Sequence, residues 1–415
     1  MRSYVGTAGP YRFRKWTFPC TSVLLICIAM SGVMDSAAGT ADQNNIPTDI
    51  WPSFRGDPGN SGYRQVSIPG PGSHDPEIIW DFDSRSVITS SVTAVAQGIF
   101  FGTRAGIIYC LDPDTGEEKW NTSLASSISS TPTVDVEVDH LYVGDDSGLM
   151  HKIDISSGEI LWSWNSTTDM DIKSSPVLFE EMVIFGSYDS VIYSLYRENG
   201  SLAWKNLGCG HYVHTTSPIH MGSAYFGSCD GTLNSINARN GSTKWSFSDS
   251  FIPSSPAVSE GRVFFGAYDS NMYCLDAENG ELVWNTTLGG DIYSSPAVGP
   301  DTVAVGCNDG RIYLMEKMTG SVIWSRDMGA APLESSPVLT KNSVVVTYEQ
   351  GLAVLDAGNG STVHSFEFGD CGESSPSLMS ERIYYGDRLG YVRCIGFKQL
   401  STNENGTDID VDSPS

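Results

Sequence analysis

The sequence has 415 residues, of which 40% are hydrophobic, 11% aromatic and only 18% charged, so it holds ample material for a core and too little charge for a disordered chain. Its 43 glycines, 20 prolines and 10 tryptophans indicate short strands and tight turns and exclude a helical bundle. The formal charge is −25, and with residues 1–39 set aside 20 basic side chains face 48 acidic ones, a net of −28; repulsion disfavours sequence-independent binding to nucleic acid or to an anionic membrane surface.

Arg12, Arg14 and Lys15 precede an apolar stretch from Trp16 to Met34, and Ser36-Ala37-Ala38-Gly39 follows it. This order predicts a secretory signal over residues 1–39, either cleaved or kept as a membrane anchor through residues 16–34. Pro19, Thr21, Ser22, Ser31 and Gly32 dilute the apolar run and favour cleavage. Cys27 follows Leu24-Leu25-Ile26 instead of the small residues that lipid attachment wants. The rest of the chain is expected to be secreted or extracytoplasmic, with membrane contact only through an uncleaved N-terminal segment. Sequons at Asn121, Asn165, Asn199, Asn240, Asn285, Asn359 and Asn405 fit export of a glycoprotein, although the Asn-Gly pairs at 199, 240 and 359 also serve tight turns.

After a lead-in over residues 40–76, a period near forty governs the chain. Tryptophans stand at 80, 120, 162, 204, 245, 284 and 324, and the next step lands on His364. A second ladder of hydroxyl pairs runs out of phase: Ser90-Ser91, Ser130-Thr131, Ser174-Ser175, Thr216-Ser217, Ser254-Ser255, Ser294-Ser295, Ser335-Ser336 and Ser374-Ser375. Each copy reads as four short strands. In the fifth they are Pro256-Ala257-Val258, Arg262 to Phe265, Met272 to Leu275 and Leu282-Val283-Trp284, separated by turns at Gly261, Asp269-Ser270 and Asn279-Gly280. Four-stranded units of this length are propeller blades. The segment Glu77 to Phe82 is a fourth strand with no first three, and Pro376 to Phe397 is three strands with no fourth. Pairing them closes a ring and removes the edges an open solenoid would expose. The expected fold is therefore all-β, an eight-bladed propeller over residues 77–397 whose last blade is completed by an N-terminal strand. An acidic, disordered tail is expected over residues 398–415.

Asp112-Pro-Asp-Thr115-Gly116-Glu-Glu-Lys-Trp120 and Asp276-Ala-Glu-Asn279-Gly280-Glu-Leu-Val-Trp284 resemble the tryptophan-docking motif of the pyrroloquinoline-quinone (PQQ) propeller repeat family. Weaker versions end at Trp162, Trp245 and Trp324, and Trp51-Pro-Ser-Phe-Arg55-Gly56 resembles the family's lead-in. The resemblance implies that Trp80, Trp120, Trp162, Trp204, Trp245, Trp284 and Trp324 are structural and dock one blade on the next. It covers two branches. The quinoprotein dehydrogenases bind PQQ and calcium over the axis and typically add a vicinal Cys-Cys pair and long insertions, neither of which this sequence has. The compact, non-enzymatic branch includes the propeller lipoprotein of the outer-membrane barrel-assembly machine, and the sequence is more similar to that branch. The motif specifies a scaffold, and scaffolds of this type carry unrelated functions.

In the usual strand order the segments leading into each inner strand share one axial face with the turns between second and third strands. Lys173, Tyr188, His214, Tyr268 and Tyr293 on that face are not explained by turn chemistry, and Arg104, Glu334, Glu373 and Arg388 join them as candidate ligand-binding residues. The recurring turn aspartates are better explained as caps of their own turns. Cys209, His211, His214 and Cys229 offer a set of thiols and imidazoles that zinc or copper could use, but their spacing is not a zinc signature, and a Cys209–Cys229 disulfide or two unrelated cysteines are the favoured states. Cys110, Cys274 and Cys394 share one repeat position and read as core residues. No nucleophile turn, phosphate-binding glycine loop or paired-histidine motif is present. The expectation is an exported, monomeric, non-catalytic propeller, without cofactor, that binds a protein or small ligand on its axial face. The alternatives are a PQQ-dependent dehydrogenase and a calcium-stabilised cell-surface or glycan-binding protein.

Overall fold

Each forty-residue repeat carries three turn signals, and each becomes one antiparallel four-stranded sheet. In the fifth the strands are Ala257–Ser259, Arg262–Gly266, Asn271–Asp276 and Leu282–Thr287, within a residue or two of the expectation at their starts and running further at their ends. The computed structural model describes residues 48–71, 74–166, 168–329, 333–369 and 374–399; all of them lie in one compact unit. The signal, the tail beyond residue 399 and the sequon at Asn405 fall outside the described residues. Among these residues the sheets number eight, so the protein is an all-β, eight-bladed propeller. The last blade joins both ends of the repeat array: His74–Asp83 pairs antiparallel with Tyr391–Gln399 and forms the outer strand. In the second and third strands almost every residue is buried, because neighbouring blades cover both faces of each sheet. Outer strands alternate between exposed and half-buried positions.

The tryptophans bridge blades in one repeated way. Each indole N–H donates to a carbonyl of the following blade: Trp80 to Pro113, Trp120 to Ile155, Trp162 to Arg197, Trp204 to Ala238, Trp245 to Ala277, Trp284 to Lys317 and Trp324 to Ala357. The ring lies against the turn glycine of that blade. A Cβ on Gly280 would come within 2.6 Å of Trp245, and its φ of +76° is one that side chains avoid. His364 breaks the series for a topological reason. The eighth blade takes its outer strand from the N-terminus and has no third-to-fourth turn, hence no glycine shelf. His364 Nε2 instead meets Pro69 O at 2.8 Å, and its ring packs on Phe397.

The hydroxyl ladder does two jobs. The first hydroxyl of a pair latches its own blade: Ser90, Ser130, Thr215, Ser294 and Ser374 accept the amide of Gly102, Gly144, Gly227, Gly306 and Gly386. In the seventh blade Thr347 replaces that glycine and its hydroxyl meets Ser335. The second hydroxyl ties blade to blade. The amides of residues 91, 131, 175, 216, 255, 295, 336 and 375 each donate to the side-chain oxygen of the next member, and Ser375 donates back to Ser91. This is a closed belt around the axis. In the fourth blade the pair is Thr215-Thr216, not Thr216-Ser217; one additional residue before Pro218 shifts the proline against the hydroxyls.

The lead-in also runs round the ring. Backbone bonds join Thr48 to Ser380 of the eighth blade, Trp51 to Ala94 of the first, Pro52 to Val134 of the second, Pro58 to Ile219 of the fourth, Gly59 to Val258 of the fifth, Ser61 to Val298 of the sixth and Gly62 to Leu339 of the seventh. Tyr63–Arg64 then adds a parallel strand to Val338–Thr340.

Candidate functional site

The segment leading into each inner strand ends on a residue whose side chain faces the axis, one position before the latch hydroxyl. Seven such residues, Thr89, Ser129, Lys173, His214, Pro253, Tyr293 and Glu334, converge with Arg104 and Tyr188 around a cavity of about 400 Å³. Of the candidate ligand-binding residues, Arg104, Lys173, Tyr188, His214, Tyr293 and Glu334 therefore line one mouth. Tyr268 stands beside it, its hydroxyl 2.7 Å from that of Tyr293. Arg388 is exposed in the eighth blade's turn and does not line the cavity. Glu373 lies outside the described residues.

An aromatic arc borders this mouth over the middle blades. Tyr212 stacks on Tyr188 with centroids 4.7 Å apart, Tyr188 meets His214 edge-on, His214 neighbours Phe251, and Phe251 touches both Tyr268 and Tyr293. Tyr212 and Tyr268 remain 38% and 39% exposed, so the arc offers ring surface to solvent. Reading the sequence missed Tyr212 and Phe251. Both stand two residues before an axis-facing residue, in positions held in other blades by Ser127, Asp171 and Asp291, and that offset is the signal that could have found them.

Charge inside the mouth is mixed. Lys173 Nζ sits 5.0 Å over the Tyr188 ring and 3.2 Å from Asp171. Burial works against its charge, but Tyr188, Asp171 and Asp146 outweigh burial and raise its pKa. Burial raises Asp146, with Lys173 opposing. His214 is lowered to about 4, first by burial and then by Lys173, so it is a neutral ring at physiological pH. The turn aspartates are occupied in capping: Asp189, Asp269 and Asp309 accept the amides of Val191, Asn271 and Arg311, and also the hydroxyls of Tyr193, Tyr273 and Tyr313.

The cysteine and histidine set is not assembled. Cys209 and Cys229 are both free, so of the two favoured states the structure has the unpaired cysteines and not the disulfide. Cys209 is buried in the blade, where Asn234 Nδ2 approaches its sulfur at 3.7 Å, while His211 is exposed and packs on Tyr212. Burial, then Asp230, pushes Cys209 up to about 12 and Cys229 to about 11, so both are thiols at neutral pH. Among the described residues no group of three or more His, Cys, Asp or Glu side chains is placed to hold a metal. Cys110, Cys274 and Cys394 are buried and free in their blades.

A ring of eight compact blades, tryptophan-docked and with a shallow mixed mouth on its axis, defines a PQQ-like repeat propeller of the branch that includes the barrel-assembly propellers. The family model for the β-propeller of beta-alanine-activating enzyme matches residues 83–397, and the chain belongs to that family. The outer membrane protein assembly factor BamB of Yersinia pestis is 23% identical over 35% of this chain and 40% of that relative, so the chain spans less than half the length of the curated relative it matches. Among solved structures, BamB from Moraxella catarrhalis superposes with a TM-score of 0.69 at 15% identity, over 78% of this chain and 100% of that one. The quinohemoprotein alcohol dehydrogenase of Comamonas testosteroni gives 0.76 at 12% identity, over 89% and 84%. At these identities both structures show the fold alone.

Proposed function

We propose that the protein is an exported, monomeric, non-catalytic scaffold that receives a segment of another extracytoplasmic protein at its axial mouth, with residues 1–39 as signal or anchor, 40–76 as lead-in, 77–397 as propeller and 398–415 as tail. The observation that carries this reading is the mouth itself: a 400 Å³ cavity with Lys173, Arg104 and Glu334 for polar register, beside an arc of aromatic surface that is partly exposed. Aromatic rings of this kind supply binding area at low entropic cost. The naming of curated relatives as outer membrane protein assembly factors supports a protein ligand over a metabolite.

The test uses the mature chain from its own host. Wild type and a Tyr188→Ala/Tyr268→Ala variant are compared in affinity capture, and wild type is weighed by native mass spectrometry. A discrete polypeptide retained by wild type and reduced at least tenfold by the variant supports the proposal. Added mass of PQQ with calcium, or of a saccharide, overturns it in favour of a dehydrogenase or a glycan-binding protein.

A further inference from the structure

Three layers lie along the axis. The axis-facing residues of the mouth come first. The belt hydroxyls follow two residues further along each inner strand. Three residues beyond Ser91, roughly 10 Å at strand rise, Ala94 bonds to Trp51 of the lead-in. Asn60 of the lead-in donates from Nδ2 to the carbonyls of Thr216 and Pro256, which places the lead-in directly beneath the belt. Residues 53–57 leave the rim between the second and fourth blades and turn inward, so that Arg55 O accepts the amide of Gly62 at the seventh blade. Arg55 is thus carried across the ring.

Arg55 is 2% exposed, and its Nε, Nη1 and Nη2 have no hydrogen-bond partner among the described residues. The site is cut to fit it: a Cβ on Gly62 would lie 2.0 Å from Arg55 Nη2. The nearby carboxylate is already engaged. Asp57 accepts from the amides of Gly59 and Ser61 and from the Ser61 hydroxyl, and stands 3.8 Å from Arg64. Arg64 has its own acceptors, the carbonyls of Ile50, Gly56 and Tyr63. Two buried guanidiniums against one carboxylate leave one positive charge without a counterion. Burial lowers Arg55 to about 9, with Asp57 raising and Arg64 lowering it further, so it stays charged at neutral pH. The belt above supplies only donors as well. Each of its eight hydroxyls accepts an amide proton, and none donates its own proton to a described acceptor.

A buried, unpaired guanidinium is costly, whereas one with an anion is not. Water would satisfy the N–H groups and leave the charge. We infer that the floor of the axial well, at Arg55 beneath the hydroxyl belt, is a binding site for a small inorganic anion, a halide or a compact oxyanion such as phosphate. The site is independent of what the mouth binds. It gives a protein of net charge −25 one internal place where an anion is favoured.

Two measurements test it. Crystals grown in sodium bromide are examined by anomalous diffraction, with a phosphate arm in parallel. Melting temperature is followed at constant ionic strength as gluconate is exchanged for bromide or for phosphate, in wild type and in Arg55→Met. The expected result is an anion within hydrogen-bond reach of the Arg55 guanidinium and a saturable rise in melting temperature that the variant lacks; the arm that responds identifies the anion. Ordered water alone at Arg55, or a bromide peak with no anion-specific shift in melting, overturns the inference. The wild-type crystal decides the matter even if the variant fails to fold.

Discussion

Trp204 and Gly241 form one of the joints that repeat round the ring: the indole packs on the glycine face and donates to Ala238 O at 3.0 Å. Truncating Trp204 to Ala removes a buried ring and its N–H bond, and we expect a loss of about 3 kcal/mol in denaturant unfolding. Gly280→Ala combines a positive φ with a 2.6 Å clash on Trp245 and is expected to cost more than about 1 kcal/mol. His214 makes a prediction in pH. Its folded pKa, about 4, lies below the unfolded value of about 6.5, so between these the unfolded chain binds the extra proton. Stability should be full above pH 6.5 and fall as pH drops toward 4. His214→Gln should flatten that part of a melting-temperature profile. The docking tryptophans and turn glycines were legible because a period of forty repeats them. Tyr212 and Phe251 were not, because no single residue type marks their position round the ring.

At the scale of the strand and blade, the ladder of hydroxyl pairs marked the inner strands, but its two separate tasks could not be read from spacing. The latch is a bond within a blade; the belt exists only once eight blades close. A pair of neighbouring variants isolates the contribution of the belt. Ser255→Ala deprives the Thr216 amide of its acceptor and is expected to cost about 1–2 kcal/mol. Ser254→Ala removes a hydroxyl that is buried without a described partner and should be neutral or slightly stabilising in the same unfolding experiment. The lead-in was equally hidden. Its bonds are scattered over seven of the blades, so no run of alternating residues announces them, and only Trp51 and the Phe54-Arg55-Gly56 turn stood out as a motif.

The whole ring depends on strand His74–Asp83 reaching Tyr391–Gln399 across the length of the array. That pairing was legible because the repeat began with an unpartnered fourth strand and ended three strands into a blade. A chain beginning at residue 84 should therefore fail to melt cooperatively and should self-associate through the bared edge of the eighth blade; addition in trans of a peptide covering residues 48–83 should restore a monomer on size exclusion. The axial mouth was legible in most of its lining residues, since their position follows from strand order alone, whereas the partner is not encoded in any repeat. The most direct test of the mouth as the working surface is photo-crosslinking in the native host, with a photoreactive side chain at Tyr268 on the arc or at Leu161 on an outer strand, both exposed. A working mouth predicts a discrete crosslinked protein from position 268, abolished by Lys173→Ala/Tyr188→Ala, and none from 161. Crosslinks from 161 with none from 268 would contradict it.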